Sequence, residues 1–290
     1  MKIWGNNMFN SKLKKENVNR LEDSVKNYDT VINETKESSM KLLDIRLKGI
    51  KLIGIVERYI NTIANTPKSF EKEFKEINLC VDNFKAELNS LQDKSDNVTK
   101  VSGGVAGAGV AAGVGVAAFA PTAAMAIATT FGTASTGTAI ASLSGAAATN
   151  AALAWLGGGA LAAGGGGIAA GNALLALAGP LGWAIGGTVL AGSGLFASNK
   201  NKKIADEAYQ KALEVEDKTR SFKRTNTEIL ELHKLTVEHG QGINKIYKQL
   251  LNTEKIDFNL FTVDEQYNLG SLVNNTKSFA KLLNRVVEQN

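Results

Sequence analysis

From residue 101 to residue 199 the chain carries no Asp, Glu, Lys, Arg or His, a run of 99 residues without a charge. All 33 basic and 28 acidic side chains therefore fall in the remaining 191 positions, while 23 of the 29 glycines fall inside the run. Ordinary soluble domains spread roughly 25% charge evenly along the chain. This is instead a block protein, with charged arms on either side of an apolar insert. Such an insert has two destinations, a packed core or a lipid bilayer.

At about 20 residues per crossing, the run has room for up to four membrane helices. The candidates are 101–131, bent at Pro121, then 139–156, 160–178 and 181–197. Residues 133–138 form a polar uncharged linker, and Gly179-Pro180 is a turn signal between the last two candidates. Small residues four apart allow close helix approach in lipid, and Gly103/Gly107, Gly109/Gly113, Gly167/Gly171 and Gly182/Gly186 have that spacing. Gly and Ala contribute little to insertion, and each helical Gly costs ~1 kcal/mol relative to Ala. The sequence thus points to a conditional inserter. It would be held against the rest of the chain in water and released onto a membrane, or inserted when several copies pack. Lys94 and Lys100 precede the run, and Lys200, Lys202 and Lys203 follow it. Positive flanks on one side imply an even number of crossings, most simply one Gly/Ala-rich helical hairpin. Trp155, Trp183 and Phe196 are candidates for the membrane interface, with plain apolar packing as the other reading.

The arms read as helices. Residues 12–65 carry Val18, Leu21, Val25, Tyr28 and Ile32, then Leu42, Ile53, Val56, Ile60 and Ile63, in steps that fit a heptad seam. Thr35, Ser39, Arg46 and Gly49 share that seam and weaken it. Thr66-Pro67 suits a helix start. The second helix then follows without a fault through Phe70, Phe74, Ile77, Val81, Phe84, Leu88 and Leu91. A third begins near Asn199, with Val215, Phe222, Ile229, Thr236, Ile243 and Leu250 seven apart and a second line through Leu232, His239 and Ile246. After a loop over 252–261, Thr262 and Glu265 form a capping box for a fourth helix with Leu269, Leu272, Thr276, Phe279, Leu283 and Val286. The expected fold is all-α, an elongated four-helix bundle or antiparallel coiled coil with the apolar hairpin at its centre. Its parts are a tail over 1–11, a hairpin arm over 12–100, the membrane-active segment 101–199 and a second arm over 200–290.

Several patterns that look like chemistry fail on context. Gly107-Ala108-Gly109-Val110-Ala111-Ala112 fits a dinucleotide fingerprint, but no strand precedes it and no acid follows at the required distance. Gly164–Gly167 has no lysine after it and is no phosphate loop. His233 and His239 lack the carboxylates that a metal would need, and His239 beside Gly240 and Gly242 suggests a local kink or thin packing on the seam. Cys80, the only cysteine, excludes an intrachain disulfide and reads as a half-buried thiol. The net charge of +5 is spread among acids, with no arginine cluster for nucleic acid. The start of the chain has no signal-peptide apolar stretch, so the expected soluble form is cytoplasmic or exported without such a signal. No enzyme, cofactor, metal or small-molecule substrate is expected.

Ser135 to Ala148, continuing through Leu156-Gly157-Gly158-Gly159 and Gly164–Gly167, resembles a segment of uncharacterised bacterial glycine-zipper proteins, which also place it between helical arms. The resemblance covers about a third of the chain and implies a bacterial membrane-associated protein with no catalytic residues to carry over. In layout the chain also resembles α-helical pore formers of the cytolysin A, haemolysin BL and apolipoprotein L type, which is analogy of architecture. The expected function is a membrane-inserting, oligomeric pore-forming toxin or cell-killing effector. Its partners would be a lipid bilayer and further copies or related helical subunits. The alternatives are a constitutive membrane-anchored coiled-coil scaffold and a soluble phage or secretion assembly protein.

Overall fold

The computed structural model describes residues 2–101, 145–156 and 197–285, together with 128, 134, 138, 140 and 143. The described residues are helical, with α1 Lys2–Asn61, α2 Lys68–Val101, α3 Gly145–Leu156, α4 Ala197–Leu251 and α5 Val263–Leu283. One 3-10 turn, Phe258–Leu260, precedes α5. The only β feature among them is an isolated bridge between Ala64 and Asp257. The all-α expectation holds. Helix α1 starts ten residues earlier than expected, so the residues 2–11 read as a tail continue the helix. Helix α2 starts one residue past Pro67, whose carbonyl accepts the amide of Phe70.

The chain divides into two compact units. The second, Ser38–Ala118 with Glu228–Val287, holds a four-helix bundle built from the later parts of α1 and α4 with α2 and α5. Its core takes Ile53, Val56, Ile77, Ile243, Leu272 and Phe279 from all four helices. Burying each such side chain stabilises by about 1.5–3 kcal/mol. Helices α1 and α4 run in the same direction here, since Tyr59 meets Tyr247 edge-on at 5.3 Å and Ala64 bridges Asp257 in parallel. Antiparallel pairing occurs within each hairpin, α1 with α2 and α4 with α5, and not between the two long helices. Lys277 ties α5 to α2, with Nζ at 2.6 Å from Glu73 and 2.7 Å from Glu76.

The seven-residue line of α4 is buried throughout, from Val215 to Leu250. The polar members of both seams are buried too, yet they do not break them. Thr35, Thr219, Thr236 and Thr276 each donate their hydroxyl to the carbonyl four residues back, at 2.6–2.7 Å. Each polar atom is thereby satisfied within its own helix. Buried Arg46 donates to the carbonyl of Arg285 at 2.6 Å, one of the free acceptors beyond the end of α5. His239 departs from the expected seam. It is exposed, while Leu232 on the same line is buried and Ile246 is partly buried against the core.

Gly49 proves to be a seat and not a weakness. A Cβ there would stand 2.8 Å from Cε1 and Cζ of Phe279 and 3.3 Å from Cδ2 of Leu283. Gly242 on α4 has nothing within 4 Å of its would-be Cβ. Gly49→Ala is therefore expected to destabilise by about 1–3 kcal/mol through overpacking, outweighing the helix propensity it gains. Gly242→Ala should stabilise by up to about 1 kcal/mol. Urea unfolding of the two variants checks the opposite signs.

Candidate functional site

Of the residues singled out for membrane insertion or helix packing, Gly103, Gly107, Gly109, Gly113, Pro121, Gly167, Gly171, Gly179, Pro180, Gly182, Trp183 and Gly186 lie outside the described residues. The expected central hairpin lies largely there as well. Trp155 is described, and it stands at the end of α3, the one helix of the uncharged run that is described as a whole element.

Helix α3 is Gly-Ala-Ala-Ala-Thr-Asn-Ala-Ala-Leu-Ala-Trp-Leu, rich in the best helix formers and without a charge. Ala148, Ala152, Leu153 and Trp155 are buried, with 148, 152 and 155 spaced by four and three along one face, while Ala147, Thr149 and Asn150 are exposed. The first unit comprises Met1–Glu37, Phe119–Thr227 and Glu288–Asn290. Within it α1 and α4 again run side by side. Asn17 Nδ2 donates to the Ala205 carbonyl at 2.9 Å, and Arg20 grips the Glu216 carboxylate with two bonds of 2.8 and 2.9 Å. Ala205, Ala208 and Ala212 are buried along α4, giving way to Phe222 further on.

Trp155 seats on that phenylalanine. Its ring meets Phe222 edge-on at 6.0 Å, and Phe222 meets Tyr28 edge-on at 5.7 Å. Trp155 is 4% exposed and Tyr28 1%. Two polar atoms of these rings, Trp155 Nε1 and Tyr28 OH, have no hydrogen-bond partner, and neither has Oδ1 of Asn226, four residues beyond Phe222 in sequence. Burial pushes the Tyr28 phenol far above its ordinary pKa, with Asp29 adding to it. Burying a tryptophan removes roughly 150–250 Å² from water, worth about 4–6 kcal/mol at ~25 cal/mol per Å². Each unpaired buried polar group costs about 1–3 kcal/mol. The burial of Trp155 is thus opposed, by a smaller amount, by its own unpaired indole N–H.

A second feature escaped the sequence reading. At the turn between α4 and α5, Ile256, Leu260, Val263 and Tyr267 are 66–82% exposed, four large apolar side chains within twelve residues. The turn itself is tightly held. Thr262 and Glu265 make the expected capping box, Lys255 reaches Glu265 at 2.6 Å, and Gln266 donates to the carbonyls of Phe258 and Phe261. The available signal was that these four residues fall off the Leu269, Leu272, Phe279 stripe. An apolar groove of about 260 Å³ also opens beside Gly49, Leu52, Gly240 and Phe279.

Among the described residues no group of three or more His, Cys, Asp or Glu is placed to hold a metal, and no helix is long and apolar enough to cross a membrane. Comparison with family models, with curated proteins and with solved structures finds no match.

Cations hold several carboxylates below their ordinary value of 4.5: Lys277 acts on Glu76, Arg20 on Glu216 and Lys255 on Glu265, chiefly through hydrogen bonds. Their stabilisation is present above the unfolded value and is lost as pH falls through the depressed one. Asp29, raised by burial, works in the opposite direction. With Glu71 and Asp257 also lowered, five lowered groups stand against one raised, and urea midpoints should hold steady from pH 7 to about pH 5 and fall below that. The drop should be shallower in Glu265→Gln.

Proposed function

We propose that this chain is a membrane-inserting, oligomerising α-helical protein of the pore-forming or cell-killing kind, whose uncharged block enters the bilayer. The observation that carries this reading is the run of 99 residues without a charge, set between arms that are heavily charged. Such a run has no acid, base or metal ligand of its own, and its Gly-rich composition favours close packing of helices. The arms supply solubility and surfaces for further copies. Helix α3 fits a stored form, since an apolar piece of the run is docked on the charged helices.

A second reading has its own support. Ala128, Ile140, Ala148 and Ala152 are buried, as befits a soluble assembly protein with an unusually small-residued core.

Full-length protein added to lipid vesicles is expected to release an entrapped dye and to float with the vesicles. Protein that does neither overturns the membrane reading. Deleting 101–199 separates the two readings further. The arms should stay helical by circular dichroism and lose leakage if the block is a membrane element, whereas loss of helicity favours the block as core.

A further inference from the structure

We propose that this chain assembles head to tail: the apolar tip of one copy's bundle, around the α4–α5 turn, seats in the groove between α1 and α4 of a second copy. The inference supplies a contact for the oligomerising half of the reading above, and it needs no membrane.

Three observations carry it. First, the second unit holds a projecting and a hollow apolar surface and fills neither. At the tip Ile256, Leu260, Val263 and Tyr267 are 66–82% exposed, and apolar side chains gathered on a surface mark a place of contact. The hollow is the groove of about 260 Å³, walled by Ile45, Leu52, Val237 and Phe279 with Gly49 and Gly240. Ligand pockets run from about 300 Å³ upward, so the groove suits an inserted side chain better than a drug-sized ligand. Second, the groove is kept open at a cost. Phe279 leaves no room for a Cβ at Gly49, but at Gly240 a Cβ would meet Phe279 Cζ at 3.7 Å and Leu52 Cδ2 at 3.9 Å, ordinary contacts. Alanine there would favour the helix and fill part of the groove, yet α4 carries glycine. Third, the charges are opposite. The turns and helix starts at the tip, 62–71 and 251–267, hold five acids against two bases, net −3. The segments that flank the groove, 44–52 and 236–245, hold four bases against two acids, net +2. Opposite fields steer the two surfaces together, whereas an anionic lipid surface would repel the tip. Because α1 and α4 run in one direction, the groove lies about 12 residues behind the tip on both, roughly 17 Å at 1.5 Å per residue. Tip and groove are therefore different patches, and the contact repeats from copy to copy as an open chain or a ring.

Sedimentation of the full chain in lipid-free buffer, over a concentration series, tests this with one variant for each surface. Leu260→Ser/Tyr267→Ser blunts the tip at exposed positions and leaves the groove intact. Gly240→Leu fills the groove and leaves the tip intact. Each variant alone should associate at least about tenfold more weakly than the natural chain. Mixed in equal amounts, the two should pair through the one intact tip and the one intact groove, with close to the natural affinity, and stop at a dimer. Should Gly240→Leu lose its helical fold, Lys48→Glu/Lys51→Glu takes its place, since it turns the charge flanking the groove from +2 to −2. A natural chain that stays monomeric throughout, or association that neither variant weakens, overturns the head-to-tail contact. So does association lost in only one of the two, because a surface that pairs with itself behaves that way. If the variants follow the expected pattern while the natural chain releases no dye from vesicles, the contact stands and the membrane reading fails. Leakage without this assembly has the reverse meaning.

Discussion

The seam between α1 and α4 is the constraint on which the other contacts rest. Both helices run in one direction in each unit, and both present a line of residues every three or four positions. In the second unit that line is closed over by α2 and α5, which supply their own apolar stripes. In the first unit the line turns to alanine along α4, Tyr28 meets Phe222, and Trp155 from the uncharged run meets Phe222 as well. One kind of surface is thus used in two ways, as a conventional bundle core and as a seat for an apolar guest.

Much of this was legible in the residues. The heptad lines, the hairpin turns and the Thr262–Glu265 box all depend on local spacing, which a sequence displays directly. What was not legible depended on partners distant in sequence. Arg46 looked like a fault in an apolar line, because the Arg285 carbonyl that accepts its hydrogen bond lies at the far end of the chain. Gly49 looked like a gap until Phe279 arrived to fill it. Counting in sevens sets His239 on the seam, yet it is exposed although Leu232 before it is buried and Ile246 after it packs on the core. The common direction of α1 and α4 came from the turns at their ends, where Ala64 and Asp257 meet.

For the candidate site the division is sharper. Composition shows that the run from 101 to 199 carries no ionisable group, and it shows this before any fold is known. Composition is silent on which of its tryptophans would be packed, because a bilayer interface and a protein core both take indole. Burial of Trp155 against Phe222, with its N–H unpaired, is a tertiary fact. The exposed apolar residues at the α4–α5 turn are another. They sit around a turn held by the Thr262–Glu265 capping box and the Lys255–Glu265 ion pair.

The seat at Gly49 has a consequence for how this bundle can change. Phe279 has room at one position along α1. A slide of α5 by one heptad would set its ring against Leu42 or Val56, both fully buried side chains of the seam. The lock thus admits one key position and none beside it. A bundle made this way can come apart, but it cannot creep.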